Sequence, residues 1–277
     1  MEPVLDHHIH LDPVNGRGAE AAAEFADAGG THLLVLNKPS WSLGAEVDEP
    51  DDFREGFDLT VEVTRRADET LPGRAWPVLG VHPALVSKLT GRGYAPEEAR
   101  DLMQAGIDVA AEYVAEGPAV AVKSGRPHYD VDDPVWDASN AVMRHAFERA
   151  AEVGCPVQLH TEGGDDFERV AEWAEDAGLP RDRVVKHYSS GPVRGPVASV
   201  IARKDELRAA AESGDPFFME TDFLDDPERP GAVLGPKTVA RRVTWLRDEG
   251  FDEAVRRAHV ETPASVYGID TEATLDQ

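Results

Sequence analysis

The feature that most constrains this chain is a His-x-His pair close to its N-terminus. Residues 4–12 read Val-Leu-Asp-His-His-Ile-His-Leu-Asp, an apolar pattern typical of a buried strand. Side chains alternate along a strand, so we expect Asp6, His8 and His10 to share one face and His7 to point the other way. Neutral imidazole is the commonest protein ligand for zinc-like metals. The stretch therefore predicts a metal site.

The composition is that of a globular chain with a full core. Of 277 residues, 41% are hydrophobic, which is enough for one large domain. There is no run of about eighteen apolar residues and no signal-peptide pattern, so we expect a cytoplasmic protein without a membrane partner. Cys155 is the only cysteine, which excludes an intrachain disulfide and a thiolate metal site.

The charge balance is strongly acidic. Asp and Glu number 53 against 28 Lys and Arg, a formal net charge of −25. Such a surface repels itself at low ionic strength and stays soluble when salt screens it, which suggests a halophilic archaeon. The chain also lacks the basic stripe that duplex nucleic-acid binding needs.

Short β-branched runs alternate with amphipathic stretches along the chain. The predicted strands are Val4–His10, His32–Asn37, Trp76–His82, Ala119–Lys123, Val157–His160, Val184–His187, Ser199–Ala202 and Phe217–Asp222. The predicted helices are Ala19–Ala28, Asp51–Glu69, Pro96–Ala115, Pro134–Val153, Asp165–Ala177, Lys204–Glu212 and Lys237–Asp248.

Alternating strands and helices predict a parallel sheet, and eight units favour one closed (β/α)8 TIM barrel over an open doubly wound sheet. No Gly-x-Gly-x-x-Gly follows the first strand, so a dinucleotide-binding fold has little support. We expect the barrel to occupy residues 1–270 and residues 271–277 to form a loose tail.

Polar residues stand at the ends of the predicted strands. They are His8 and His10 on the first strand, His82 on the third, Lys123 on the fourth, His160 on the fifth, His187 on the sixth and Asp222 on the eighth. The C-terminal strand ends of a barrel converge on the face where active sites are built. One such residue could be a satisfied buried polar group, but their convergence predicts a catalytic site.

These motifs resemble the TatD-related branch of the amidohydrolase superfamily of metal-dependent hydrolases. The matching segments, in the family's order, are Asp6–Asp12, Gly80–Pro83, Pro156–His160, His187–Gly191, Glu220–Asp222 and Thr262–Gly268. The resemblance spans nearly the whole chain. It is strongest to an archaeal group of predicted TatD-related hydrolases whose substrates are not assigned.

The fourth strand departs from the family pattern. Where the bacterial nucleases carry a metal-bridging glutamate, this chain has Lys123. Lysine at this position resembles the phosphotriesterase and dihydroorotase branches, where CO2 adds to the amine and the carbamate bridges two ions. The alternative is an ordinary lysine paired with an acid in a one-metal site.

The resemblance implies a ligand set. His8, His10 and Asp222 would hold a buried ion, His160 and His187 a more exposed one, and Lys123 would bridge them. Zinc fits these donors best, with manganese, cobalt or nickel as alternatives. Asp222 would also act as the catalytic base, which orients the activated water and passes its proton to the leaving group.

Other residues receive supporting roles. Asp6 would orient the metal site without ligating it. Arg126, His128 and His82 would bind the anionic group of the substrate.

The predicted reaction is hydrolysis of a phosphoester, on a nucleotide-like or nucleic-acid-related substrate or another small molecule. Hydrolysis of a carboxylic ester, lactone or amide is the alternative. A barrel that binds metal only as structure is the non-enzyme alternative.

Overall fold

The computed structural model describes residues 1–229, 231 and 233–275. It contains nine strands in these residues: β1 Leu5–His10, β2 His32–Leu36, β3 Ala75–Gly80, β4 Ala121–Gly125, β5 Val157–His160, β6 Val184–Ser189, β7 Val197–Ile201, β8 Phe217–Glu220 and β9 Phe223–Leu224.

Helices separate most of the strands. They are α1 Ala19–Asp27, α2 Asp52–Asp68, α3 Leu85–Gly91, α4 Pro96–Glu116, α5 Asp133–Val153, α6 Glu168–Asp176, α7 Lys204–Ser213, α8 Thr238–Asp248, α9 Asp252–Arg256 and α10 Thr262–Tyr267. Short 3₁₀ turns cover Ser40–Leu43 and Arg181–Arg183, and a π turn covers Arg257–Glu261.

Local sequence explains where the longest helices start and stop. Pro96 opens α4, where the Glu98 carboxylate accepts the backbone N–H of Ala95 at 2.8 Å. Helices α4 and α5 end at Gly117 and Gly154, both with the left-handed backbone that glycine adopts without strain. The predicted bounds of α4 and α5 are confirmed to within one residue.

The strands form one parallel sheet that follows chain order from β1 to β8. Strand β8 pairs with β7, and β9 pairs with the far side of β1. Only Thr221 and Asp222 separate β8 from β9, so one extended segment joins the last strand to the first. The predicted (β/α)8 barrel is confirmed.

Two layers fill the inside of the sheet. One is an apolar cluster that includes Val266 of α10 and consists of Leu5, Leu34, Leu36, Val78, Ala121, Val185, Phe218, Val266 and Ile269. Polar side chains take over toward the C-terminal strand ends, where His8, His10 and Lys123 are buried. The barrel interior therefore combines an apolar cluster with buried titratable side chains.

Several predicted strand bounds are shifted. Strand β3 ends at Gly80, so His82 lies two residues beyond it, and β4 extends to Gly125, so Lys123 lies inside the strand. Strand β8 ends at Glu220, so Asp222 lies in the break before β9. His82, Lys123 and Asp222 therefore lie at different heights along the barrel axis than predicted, but at the same end of the barrel.

The first strand contains an irregularity that simple alternation missed. Its pairing with β2 shifts register between Asp6 and Ile9. The His7 ring consequently stacks on Phe218 of the interior cluster, with centroids 3.9 Å apart, so the expectation that His7 points away from the barrel interior is wrong.

The C-terminal residues differ from the expected loose tail. Thr271 is fully buried and donates to the carbonyl oxygen of His259 at 2.7 Å, and the Thr274 hydroxyl lies 2.9 Å from His32 Nε2. Asp276 and Gln277 lie outside the described residues. The assignment of residues 1–270 as one domain stays a prediction.

Among the described residues, no helix is both long and apolar enough to cross a membrane.

Candidate metal centre

Three side chains that can bind a metal ion face one another: His8 and His10 of β1, and Asp222 of the break before β9. The Nε2 atoms of His8 and His10 lie 3.3 Å apart, and Asp222 Oδ1 lies 3.7 Å and 3.8 Å from them. All three can offer one ligand atom within a sphere suited to a single ion. The structure thus brings together the residues predicted for the buried metal.

The imidazole rings of His8 and His10 each form a hydrogen bond through Nδ1, which leaves Nε2 available to bind a cation. His8 Nδ1 donates to Gln158 Oε1 and His10 Nδ1 donates to the Leu36 carbonyl oxygen, both at 3.0 Å. Burial holds both pKa values well below the ordinary range, so each ring is neutral. Two Nε2 lone pairs therefore face each other with no proton between them, an arrangement that a bound cation relieves.

Asp222 is held in place by an unusual backbone conformation. Its φ angle is 49°, in the left-handed region that non-glycine residues rarely occupy, and its N–H donates to the His8 carbonyl oxygen at 3.0 Å. Burial raises the pKa of its carboxyl to about 7, against the opposing charge of Lys123. A carboxyl poised near neutrality suits proton transfer.

The second pair of histidines lies beside the first. His160 Nδ1 and His187 Nε2 are 3.0 Å apart, and the His187 ring stacks on His8 with centroids separated by 3.9 Å. Burial lowers the pKa of His160 to about 3 and holds the pKa of His187 well below its usual value. The two predicted ligands of the exposed metal are therefore neutral neighbours.

Glu220 is a site residue to which the sequence argument gave no role. It is fully buried, and its carboxylate lies 3.0 Å from His187 Nδ1 and accepts the Tyr188 N–H at 2.8 Å. With His8 and His187 it forms a second group that could hold an ion. Its place in the Glu-Thr-Asp motif before Asp222 was the available signal.

The charge of Lys123 acts on both histidine pairs. Lys123 is only 1% exposed, and its charge lowers the pKa values of both His8 and His160. Burial lowers the pKa of its own amine to about 8, although Asp222 acts in the opposite direction. More of the amine is consequently neutral near pH 7 than in an exposed lysine, and the neutral amine is the form that reacts with CO2.

Two glycines allow the strands to close around Lys123. A Cβ on Gly80 would lie 1.9 Å from the Lys123 carbonyl oxygen, and one on Gly125 would lie 1.8 Å from the carbonyl oxygen of His160. Any side chain at either position would force β3, β4 and β5 apart and displace the residues that they carry.

Asp6, which the sequence analysis assigned to orienting the metal site, hydrogen-bonds residues next to the candidate ligands. Its carboxylate accepts the N–H and the hydroxyl of Thr221 at 3.0 Å and 2.6 Å, and it also contacts the His8 N–H at 3.3 Å. Burial raises its pKa to about 7. Asp6 thus ties β1 to the break that carries Asp222.

The structure places Arg126, a predicted substrate-binding residue, in contacts that the sequence did not predict. Its guanidinium forms a two-pronged ion pair with Glu162, donates to Asn140 at 3.1 Å and lies over the Trp136 ring. These partners take three of its five N–H donors, and its role in substrate binding stays a prediction. Glu162 lies 36 residues away in sequence, and the sequence gave no sign of this pairing.

His128 and His82 both lie beside His160. His128 Nδ1 is 3.0 Å from His160 Nε2, and the His82 ring lies 4.7 Å from the His160 ring. Burial holds the pKa of His82 well below its normal value, and its Nδ1 accepts the Ala84 N–H at 3.1 Å. The structure thus places both residues at the second histidine pair.

A cavity of about 430 Å³ opens over the second pair. It is lined by His128, His160, Lys186, His187, Tyr188 and Asp222, among others. Tyr188 is 37% exposed and has a φ of 56°, and Lys186 is buried with its Nζ 2.6 Å from the His187 carbonyl oxygen. The sequence argument assigned neither residue to the site.

Fold and site together define a class. A parallel barrel that gathers neutral histidines and an aspartate beside an open cavity at its C-terminal strand ends is a metal-dependent hydrolase. Residues 5–254 match the family described as TatD related DNase, and the chain belongs to that family.

The chain is also similar to a full-length relative and to solved structures. An uncharacterized protein of Methanocaldococcus jannaschii is 33% identical over 282 residues, which are 98% of this chain and 97% of that protein. A TatD homolog from Escherichia coli superposes with a TM-score of 0.65 at 19% identity, over 96% of this chain and 98% of that chain. An organophosphorus hydrolase from Deinococcus radiodurans gives 0.56 at 15% identity, over 96% and 92%. These two structural likenesses bear on the fold.

Proposed function

We propose that this chain hydrolyses phosphoester bonds at a binuclear centre bridged by carboxylated Lys123. The observation that carries the proposal is the position of Lys123, whose charge acts on both histidine pairs from full burial. The ammonium first loses one proton; addition of CO2 to the neutral amine then forms a bond from Nζ to carbon and releases a second proton, so a cation becomes an anion. The change would turn an unfavourable neighbour of two metal ions into a ligand of both.

The donor set fits two divalent ions. His8, His10 and Asp222 would hold one, His160 and His187 the other, and the Lys123 carbamate would contribute to both. Nitrogen and oxygen donors suit zinc first, with manganese, cobalt or nickel as alternatives. Bound there, the ions would supply an activated water and a Lewis acid for the substrate oxygen.

Asp222 would handle the proton of the reaction. Its Oδ1 faces both His8 and His10, and its residue also lines the cavity. In this proposal it takes the proton from the attacking water as the new oxygen–phosphorus bond forms. It then returns that proton to the leaving oxygen as the old bond breaks, so the carboxylate is regenerated.

The cavity suggests the kind of substrate. Lys186 and His128 can meet an anionic group, and the exposed Tyr188 ring offers a flat apolar surface beside them. A molecule that carries both a phosphate and a planar ring, as a nucleotide or a nucleic-acid end does, fits these three features. The net charge of −25 argues against duplex nucleic acid.

A carboxylic ester, lactone or amide is the second candidate, because Lys123 replaces the glutamate of the bacterial nucleases. A purely structural metal barrel is less compatible with a cavity that opens beside the ligands.

The test is a substrate panel on metal-loaded protein. We expect turnover of bis-p-nitrophenyl phosphate and of nucleotide phosphoesters above that of p-nitrophenyl acetate and simple lactones. Tyr188→Ala should raise KM for nucleotides more than for bis-p-nitrophenyl phosphate. Preferential lactone or ester turnover would overturn the phosphoester proposal, and no turnover despite bound metal would favour the structural alternative.

We also propose a cytoplasmic location in a salt-rich cell, supported by the acidic surface and by the archaeal relative. Unfolding midpoints should then rise from low to molar salt because screening reduces self-repulsion. A midpoint unaffected by salt would contradict this.

A further inference from the structure

Beneath the metal ligands, a buried chain of hydrogen bonds runs from His8 to His187. Its successive contacts are His8 Nδ1 to Gln158 Oε1 at 3.0 Å, Gln158 Nε2 to the Tyr267 hydroxyl at 3.0 Å, Tyr267 to His7 Nε2 at 2.8 Å, His7 Nδ1 to Ser199 at 2.9 Å, Ser199 to Glu220, and Glu220 to His187 Nδ1 at 3.0 Å. It joins one ligand of each histidine pair.

The position of each proton in this series of hydrogen bonds follows from one atom that can only accept. The Gln158 amide nitrogen faces the His7 carbonyl oxygen at 3.5 Å, an atom that can only accept, and it donates to the Tyr267 oxygen. The Tyr267 hydroxyl therefore donates to His7 Nε2, and the Ser199 hydroxyl donates to Glu220. The Ser199 oxygen then accepts from His7 Nδ1, which leaves His7 Nε2 as a lone pair. All donors up to this point are directed toward Glu220.

The same logic reaches the metal site. His7 Nε2 must accept the Tyr267 proton, so the Tyr267 oxygen is free to accept the Gln158 amide N–H. The Gln158 oxygen is thereby turned toward His8 and accepts its Nδ1 proton. His8 Nε2, the atom that faces His10 and Asp222, is left unprotonated.

We propose that Tyr267, His7 and Ser199 are positioning residues that act through Gln158 and Glu220 to fix the proton of His8 on Nδ1. The relay, as we call these five residues, rests on the metal site of the proposed function and touches neither substrate nor reacting atoms. Reversing its direction would put the His8 proton on Nε2 and remove that atom as a ligand.

Because the relay is buried, reversing the direction of its hydrogen bonds is unfavourable in free energy. His7, Ser199 and Glu220 are fully buried and Gln158 is 1% exposed, so a broken link leaves polar neighbours without water to replace the partner. Tyr267 comes from α10, at the opposite end of the chain from His8. The relay therefore makes the C-terminal helix part of the metal site.

The first test removes one hydroxyl. Tyr267→Phe should weaken the tightest metal site by about 10–100-fold in a chelator competition, because an outer partner of a ligating histidine is lost. Imidazole ¹⁵N NMR should show His8 losing its fixed Nδ1–H tautomer. Tyr113→Phe is the matched control, because Tyr113 donates to Asp58 on the helical shell. Wild-type affinity and an unchanged His8 tautomer in Tyr267→Phe would overturn the proposal.

The second test uses Ser199→Ala, which breaks the chain at another link and carries the test if Tyr267→Phe does not fold. Links of one relay should be non-additive, so the Ser199→Ala/Tyr267→Phe double variant should lose little more affinity than the weaker-binding single variant. Fully additive losses would mean separate contacts and would contradict a relay.

Failure of the two proposals can be told apart. If wild-type protein binds no metal, the proposed function fails, while the His8 tautomer in wild type and in Tyr267→Phe still decides the relay by NMR. If wild type binds metal and neither variant changes affinity or tautomer, the relay alone fails.

Discussion

The two histidine pairs of the site differ in how firmly they are prepared for metal. His8 and His10 are buried, and the Nδ1 of each has an oxygen acceptor. In the other pair, only His187 has such an acceptor, Glu220, while His160 is partly exposed and contacts the exposed His128. We infer a firmly held ion at the first pair and an exchangeable ion that faces the substrate at the second.

The largest expected effect concerns Asp222, which lies beside His8 and His10 and also lines the cavity next to His160 and His187. Asp222→Asn keeps an oxygen donor but cannot take a proton, so kcat should fall by about 10²–10⁴-fold. Asp176→Asn, on the exposed end of α6, is the control. Steady-state kinetics and metal analysis check this, and full activity in Asp222→Asn would disprove its role as base.

Substitutions in each pair test whether the two histidine pairs hold their metal ions differently. His8→Ala should abolish the ion that resists a chelator, whereas His160→Ala should abolish only the ion that exchanges rapidly, because the first pair is the preorganised one. Time courses of metal removal separate the two populations. Equal rates of loss from both variants would show that burial and fixed tautomers do not distinguish the pairs.

A smaller effect is expected on stability as pH changes. Burial lowers the pKa of a set of histidines that includes members of both pairs: His7, His8, His10, His32, His82, His160, His187 and His259. Folding keeps these rings neutral, whereas the unfolded chain binds protons on them below about pH 6.5.

Three buried acids act in the opposite direction, since the pKa values of Asp6, Glu220 and Asp222 are raised and folding keeps their protons. Because more histidines than acids are shifted, the metal-free protein should unfold at lower temperature as pH falls from 6.5 to 5. Calorimetry in the presence of a chelator checks this. A midpoint that rises over that interval would mean that the acids dominate.

The sequence predicted the barrel and the clustering of the candidate ligands because both leave local signals. Alternating apolar runs give the strands, and His8, His10, His160 and His187 stand at the C-terminal ends of three of them. Strand ends of a parallel barrel meet without any further information, so their convergence could be inferred before any distance was known.

The rest depended on contacts between distant residues. Arg126 carries the right chemistry for an anion, but the nearby carboxylate of Glu162 already pairs with it. The register shift in β1 turns His7 inward, and only then can it meet Tyr267, which is 260 residues away. Such pairings are set by packing in three dimensions and leave no local pattern.

The central claim is that Lys123 links the two pairs as a carbamate. Metal content per chain should be measured on wild type, Lys123→Ala and the surface control Lys237→Ala, each with bicarbonate present. We predict about two ions in wild type and in Lys237→Ala, fewer in Lys123→Ala, and recovery when a short carboxylic acid is added. Unchanged metal content in Lys123→Ala would contradict the claim and leave each histidine pair to bind metal without a bridge.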